Sequence, residues 1–316
     1  MNLQTQIKLN KQPHNQIDYN SDVLLLGSCF SENIGDKFKY FKFRNLVNPF
    51  GILFHPIAIE NLITRAINND YYSEDEINFH NEQWSCLDAH SRLNSISKEE
   101  LLINLNNALE ETNRQIKEAT HIILTTGTAW VYRNIATDTI VANCHKLPQK
   151  QFLKEILSVE QITESLEAIV SLVKTVNPDV TFLFTVSPVR HMKDGFIENT
   201  QSKSHIISAI HNLINSRKQL HYFPSYELMI DELRDYRFYN EDMLHPNDLA
   251  INYIWEKFIT VWLSDDALKT FEDVSSIQSK KAHRPFNINS EAHKKFLNTL
   301  ELEIEDLQMR YPHISF

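Results

Sequence analysis

Two nucleophilic side chains stand side by side in VLLLGSCFSENIGDKF, residues 23–38, where an apolar run gives way to Gly27, Ser28 and Cys29. A serine hydroxyl becomes a nucleophile when an imidazole removes its proton and a carboxylate holds the other ring nitrogen. Asp242 and His245, three residues apart in EDMLHPN, can supply these two groups. The candidate catalytic residues are therefore Ser28 as nucleophile, His245 as general base and Asp242 as the residue that orients it.

Cys29 competes with Ser28 on chemical grounds, because a thiolate is the better nucleophile. On a sharp turn from strand to helix, however, adjacent side chains leave the backbone in different directions. Phe30, Ile34 and Phe38 form an apolar helical stripe that Cys29 adjoins. We therefore expect Ser28 to face the cleft and Cys29 to pack beneath the helix as a small core residue. The alternative for Ser28 is a purely structural role as the N-cap of that helix.

Short apolar runs predict the strands that position these residues. VLLL (23–26), HIILTT (121–126) and VTFLFTV (180–186) are typical of buried parallel strands, and amphipathic patterns that begin at Ser97 and Ser158 separate them. This alternation predicts a doubly wound α/β sheet, in which ligands bind beyond the carboxyl ends of the strands. Polar residues follow each run at that end, including Gly127-Thr128 and Arg190-His191, and we expect the latter pair either to line the pocket or to be structural.

The remaining part of the chain has weaker patterns. The pattern of residues 129–144 predicts a β-hairpin with ATD as its turn, and LHYFPSYE suggests a last strand. A helix is expected from Pro246, which suits a first helical position, and a second from Ser290 to Leu307 after the polar stretch 275–289.

Composition excludes several classes of function. The net charge of −10 and a pI of about 5.8 argue against a nucleic-acid partner. There is no signal-like or membrane-length apolar segment in the sequence, which favours a cytoplasmic protein without a membrane partner. Three cysteines without CxxC spacing suggest neither a disulfide framework nor a zinc site, and no metal or other cofactor is expected.

Glycine is scarce, with five in 316 residues, so each is expected where a side chain cannot be tolerated. Gly51 and Gly127 lie in segments with chemical character, NPFGILFHP and ILTTGTAWVY, and are assigned to loops at strand ends. Gly35 lies inside a helical pattern and predicts a close helix contact.

Six motifs in order carry a resemblance to a known family. They are LLLGSCFSENIG, NPFGILFHP, GTAWVYR, VANCHK, SPVRHMKDG and the long segment that ends in NEDMLHPN. Together they resemble the GSCFA family of bacterial proteins, with Ser31 at the fifth position of the eponymous motif, and more broadly the four blocks of the SGNH (GDSL-like) hydrolases. This resemblance implies a flavodoxin-like three-layer α/β sandwich with a mostly parallel sheet. It also implies a domain over residues 1–265 with a helical C-terminal extension, residues 266–316, packed on it.

The resemblance also implies roles for single residues. Ser28 matches the nucleophile, and the backbone N–H groups of Ser28 and Gly51 match two oxyanion donors. The third block normally supplies an asparagine amide, but here the register reads Gly127-Thr128-Ala129-Trp130. Either Thr128 or Asn48 replaces that donor, or the enzyme is slow. The residues expected to contact substrate are Asn48, Gly127, Arg190, His191 and His90.

The sequence thus predicts a serine hydrolase or acyltransferase that acts on a small-molecule or carbohydrate ester. The rival from another class is a catalytically weak ligand-binding protein that keeps the fold. The acyl group, the alcohol and the oligomeric state do not follow from the sequence.

Overall fold

The computed structural model describes residues 5–214 and 219–316. Its strands are β1 (Asp22–Gly27), β2 (Arg44–Val47), β3 (Ile77–His80), β4 (Gln83–Cys86), β5 (His121–Thr126), β6 (Trp130–Asn134), β7 (Thr139–Val141), β8 (Phe152–Ile156), β9 (Thr181–Val186) and β10 (Leu220–Tyr222). Its main helices are α1 (Cys29–Tyr40), α2 (Pro56–Asn68), α3 (Lys98–Glu118), α4 (Val159–Val176), α5 (Phe196–Ile214), α6 (Asp248–Trp262), α7 (Asp265–Ala282) and α8 (Glu291–Arg310).

Five parallel strands form the central sheet in the order β10-β9-β5-β1-β2. Strands β1, β5 and β9 coincide with the three predicted apolar runs, and β5 is the central strand. The chain moves from β1 outward to β2 and then returns to the other side of β1, so the strand order reverses between β1 and β5. Ligands of open α/β sheets bind at such a switch point, beyond the carboxyl ends of the two strands.

The two faces of the sheet are both buried, and the side chains alternate between them with period two. In β1, Leu24 and Leu26 belong to the hydrophobic cluster that includes α2, α3, α4 and α5. Val23 and Leu25 belong to the opposite cluster, which includes α1, α6, α7 and α8. The fold is therefore a three-layer α/β sandwich, as the sequence predicts.

Side-chain caps define where several helices begin. Ser158 Oγ accepts a hydrogen bond from the Gln161 N–H, and the Ser158 N–H donates to Gln161 Oε1, so the two residues form a capping box at the start of α4. Ser97 caps α3 through the Glu100 N–H. These polar exchanges satisfy backbone donors that the helix itself leaves unpaired.

The predicted hairpin forms as β6 and β7, and β8 extends it to a three-stranded antiparallel sheet. It follows β5 directly and lies at the carboxyl end of the central sheet. The predicted last strand forms as β10, next to β9.

The helical part after the sheet differs from the prediction in two places. Asn247, not Pro246, precedes α6, and its Oδ1 accepts the N–H of Ala250 at 3.1 Å, so the cap fixes the start two residues later. Much of the polar stretch 275–289 continues α7, which ends at Ala282. Leu300 and Leu307 of α8 are buried in the same cluster as Val23 and Leu25, so the C-terminal helices pack on the body of the sandwich.

Candidate active site

The first turn of the site is made by Gly27, which lies at the end of β1 with φ of +137°. A Cβ at this position would lie 2.1 Å from the carbonyl oxygen of Thr125 on β5. Only glycine permits this approach, because both the dihedral angle and the space exclude a side chain. The chain can therefore turn straight from β1 into α1 at the switch point.

Ser28 and Cys29 leave that turn in directions opposite to those expected. The Ser28 side chain has 0% exposure, and its Oγ caps α1 by accepting the N–H of Phe30 at 3.3 Å. Cys29 is half-buried and lines a cavity of about 680 Å³. The reason is that the N-cap role turns the serine hydroxyl back onto the first turn of the helix, which leaves the next side chain to face outward.

The cavity beside Cys29, called the Cys29 cavity below, lies where the topology predicts. Its walls come from loops that follow strands of the central sheet and from the segment before α6. They include Cys29 after β1, Thr128 after β5, Arg190 and His191 after β9, and His245. Trp130 and Tyr132 of β6 form an aromatic side of the same space.

Asp242 and His245 form a hydrogen-bonded pair at the edge of this cavity. Asp242 Oδ2 lies 2.6 Å from His245 Nδ1, while its Oδ1 accepts the N–H groups of Leu244 and His245 at 2.8 and 3.0 Å. These hydrogen bonds hold the pKa of Asp242 at about 2, mainly through the backbone N–H donors. The carboxylate is therefore charged at neutral pH and holds the ring through Nδ1, and no described residue bonds to Nε2.

Lys203 on α5 lies beneath the site with 1% exposure. Its Nζ donates to the carbonyl oxygens of Gly127 and Ser187, both at 2.7 Å. These two hydrogen bonds link the loop that follows β5 to the loop that follows β9. Burial lowers its pKa from 10.5 to about 7, opposed in part by Cys29. No carboxylate forms an ion pair with Lys203 within residues 5–214 and 219–316, and its Nζ lies over the Tyr226 ring, 5.7 Å from the centroid.

His191 lies against Gly127, which explains why that position carries no side chain. A Cβ at Gly127 would be 2.9 Å from His191 Nε2. Nε2 is buried and has no hydrogen-bond partner in the described part of the chain. Burial, with the nearby Lys203 and His245, lowers the pKa of His191 to about 3, so this ring is neutral.

The expected oxyanion donors are already engaged. The N–H of Ser28 donates to Thr125 O at 2.9 Å, and the N–H of Gly51 donates to Asn48 O at 2.7 Å. The Thr128 N–H is directed at Phe54 O at 3.3 Å, while its hydroxyl accepts the Trp130 N–H at 3.0 Å. The predicted set of donors is therefore not assembled in this structure, because the turns that shape the loops use these groups.

Asn48, the other expected substitute, does have a spare donor. Its Oδ1 accepts the N–H of Gly27 at 2.8 Å, which fixes the orientation of the amide. Its Nδ2 is buried, and no acceptor lies within hydrogen-bond distance among the residues that are described. A buried amide N–H without a protein acceptor is satisfied by a water or by another ligand, and Asn48 itself does not line the Cys29 cavity.

The other predicted contact residues divide into two groups. Arg190 lines the Cys29 cavity and also a second cavity of about 740 Å³. This second space, called the Met229 cavity, is lined by residues that include Met229, Leu233 and Tyr239. Asp242 lines the Met229 cavity, so the Asp242–His245 pair lies between the two spaces. His90 instead caps a short 3₁₀ helix through Arg92 N–H and packs on Gly51, outside the lining of the Cys29 cavity.

Lys203 is the site residue that sequence reasoning misses. It occupies a buried position of α5 in register with Asn199, Ile206 and Ile210, which are four, three and seven residues away. A lysine on the apolar face of an amphipathic helix is unusual, and that pattern is the signal that could have found it.

The next two observations hold for residues 5–214 and 219–316. Within them, no group of histidine, cysteine and carboxylate side chains has the arrangement of a metal site. None of the helices in that part of the chain combines the length and apolar character needed to span a bilayer.

Comparison with known proteins gives one strong similarity and two weak ones. Residues 22–258 match the family described as the GSCFA family, and residues 274–316 match the C-terminal domain of GSCFA domain proteins. No curated protein matches the chain. Among solved structures, a carbohydrate esterase family 3 protein from Talaromyces cellulolyticus has 8% identity and a TM-score of 0.35, covering 81% of this chain and 99% of its own. A family 3 carbohydrate esterase of Clostridium thermocellum has 11% identity and a TM-score of 0.33, covering 76% and 94%. At such TM-scores, neither similarity bears on function.

Proposed function

The chain belongs to the GSCFA family, and we propose that it is an enzyme that transfers the acyl group of an ester, to water or to a second alcohol. The observation that carries the proposal is the Asp242–His245 hydrogen bond of 2.6 Å at the edge of the Cys29 cavity. A histidine held by a charged carboxylate, with its other nitrogen free, is the general base of acyl-transfer enzymes.

The parts of the proposed reaction lie around the same switch point. A nucleophile at the start of α1 attacks the ester carbonyl, and His245 takes its proton and gives it to the leaving alcohol. The Asn48 Nδ2–H, which is buried beside Gly27 and outside the lining of the Cys29 cavity, is the proposed oxyanion donor, and the substrate must open a path to it. It would stand in place of the asparagine that the third SGNH block would supply. One such donor contributes about 2.7 to 4 kcal/mol to transition-state stabilisation.

The lining of the Cys29 cavity favours a polar ester such as an acylated sugar or another small molecule. Trp130 and Tyr132 offer aromatic faces, while Asn143, Lys193 and Asp194 offer hydrogen-bonding groups. A volume of about 680 Å³ suits a ligand of that size. This mixture of an apolar surface with a few polar groups is what orients a small substrate.

Hydrolysis of short p-nitrophenyl esters and of acetylated sugars tests the proposal. We expect His245→Ala to lower kcat/KM at least as much as Asp242→Asn, by about 10³ to 10⁴-fold, because it removes the base itself. His293→Ala on the distant helix α8 is the matched control and should retain full activity.

If the folded parent protein turns over these esters no faster than His245→Ala does, the proposed enzymatic activity is wrong. The rival interpretation, a ligand-binding protein with the same fold, would then stand. Equilibrium binding of the same esters, unchanged in His245→Ala, would support that rival directly.

A further inference from the structure

The side chain that reaches the Cys29 cavity from the start of α1 is a thiol. Cys29 lines the cavity together with His245, whereas Ser28 is fully buried and holds the first turn of α1 through its Oγ. We propose that Cys29 is the nucleophile and carries the acyl group as a thioester. This inference rests on the proposed acyl-transfer function and names the atom on which that function depends.

Two features near the sulfur favour its thiolate form, although burial outweighs them. Cys29 is the first residue of α1, so its side chain lies at the N-terminal end of the helix. The helix dipole stabilises an anion at this place. The buried Lys203 is the second feature, because its charge lowers the pKa of the Cys29 thiol.

These groups do not ionise the thiol in the resting enzyme. Burial raises the pKa of the Cys29 thiol, and the nearby Glu32 carboxylate raises it further, against the smaller opposite effect of Lys203. The thiol must therefore lose its proton during attack. A base in the same cavity is required, and His245 with its free Nε2 is such a base.

The reaction then balances in two halves. The sulfur forms a bond to the ester carbonyl carbon as its proton passes to His245, and the bond from that carbon to the alcohol oxygen breaks as His245 returns the proton to the alcohol. In the second half, water or another alcohol attacks the thioester and gives its proton to His245. The carbon–sulfur bond breaks, and the proton passes from His245 to the sulfur.

Trapping the acyl-enzyme tests the proposal on the unmodified protein. The protein is mixed with p-nitrophenyl acetate, quenched in acid and mapped by peptide mass spectrometry. We expect one acetyl group on Cys29, removed by hydroxylamine at neutral pH because thioesters react there and oxygen esters survive. In parallel, Cys29→Ala should lose at least about 100-fold in kcat/KM, while Ser28→Ala, if folded, should keep most of it.

The outcomes separate this inference from the function on which it rests. An acetyl group on Ser28, with turnover retained in Cys29→Ala, would overturn the thiol and leave the acyl-transfer function intact. If no ester is turned over, the proposed acyl-transfer function is wrong. The reactivity of the Cys29 thiol is then tested by its rate of alkylation alone. Iodoacetamide should then modify Cys29 faster than Cys144, which lines the same cavity, and a rate no faster would overturn the proposal.

Discussion

At the scale of the residue, Lys203 is buried where its protonated form is destabilised. Its lowered pKa of about 7 means that, between about pH 7 and 10.5, the unfolded chain holds a proton that the folded protein has released. Stability rises with pH wherever the unfolded state binds more protons. The cost of burying the cation is therefore greatest below pH 7 and is relieved as the pH rises through that window.

This predicts a difference between the parent protein and Lys203→Met. The free energy of unfolding of the parent should rise relative to that of the variant by up to about 1.4 kcal/mol per pH unit between pH 7 and 10. Urea denaturation of both proteins at pH 6, 8 and 9.5 measures it. Parallel curves across this range would show that Lys203 keeps an ordinary pKa.

The residues of the site differ in how far the sequence reveals them. Asp242 and His245 are three positions apart, so one local motif predicts their pairing. The partners of Lys203 and Asn48 lie far along the chain, at Gly127 and Gly27, and no local pattern links them. Which of Ser28 and Cys29 faces the cavity depends on which of them caps α1. Each residue type suits both the cavity and the buried position, so residue type alone does not predict the answer.

At the scale of the element, α1 packs on β2 through Gly35. A Cβ there would lie 2.4 Å from Cγ2 of Val47, so the predicted close contact is between helix and strand. Gly35→Ala should destabilise the protein by about 1 to 3 kcal/mol, since the overpacking exceeds the intrinsic helix gain of alanine.

A second substitution reverses that sign. In a Val47→Ala background the obstructing methyl groups are gone, and Gly35→Ala should be neutral or stabilise by up to about 1 kcal/mol. Urea denaturation of the four proteins gives the coupling energy. Additive effects would mean that the helix shifts to accommodate the methyl group without involving Val47.

Elements with continuous apolar runs are the ones that sequence reasoning finds. Strands β1, β5 and β9 are buried along nearly their whole length and stand out for that reason. Strand β2 has four half-buried residues, RNLV, and gives no comparable signal. The start of α6 is misplaced because Pro246 suits a first helical position but Asn247 supplies the cap, and a cap decides where the helix begins.

At the scale of the whole molecule, the C-terminal helices are part of the core that supports the site. Leu307 of α8 has 0% exposure and shares a cluster with Phe30 and Phe38 of α1. Leu307→Ala should lower the free energy of unfolding by about 2 to 5 kcal/mol, as for other fully buried leucines. Chemical denaturation measures the change.

Leu302→Ala on the same helix is the matched control. Leu302 is 66% exposed, so its removal should alter stability by no more than about 0.5 kcal/mol. Equal, small effects at both positions would show that α8 makes no stabilising contact with the sandwich. A large effect confined to Leu307 would show that residues beyond 265 contribute to the stability of the domain before them.

The scarcity of glycine has a consequence for how such a chain can change over generations. Gly35 and Gly127 each give their space to one neighbouring side chain, Val47 and His191 respectively, so a larger residue at either glycine calls for a smaller one at its neighbour. These two pairs should therefore covary among relatives. Gly27 gives its space to a backbone carbonyl, which no exchange of side chain can remove. That glycine should stay unchanged in any relative that keeps the same turn, whatever happens at its neighbours.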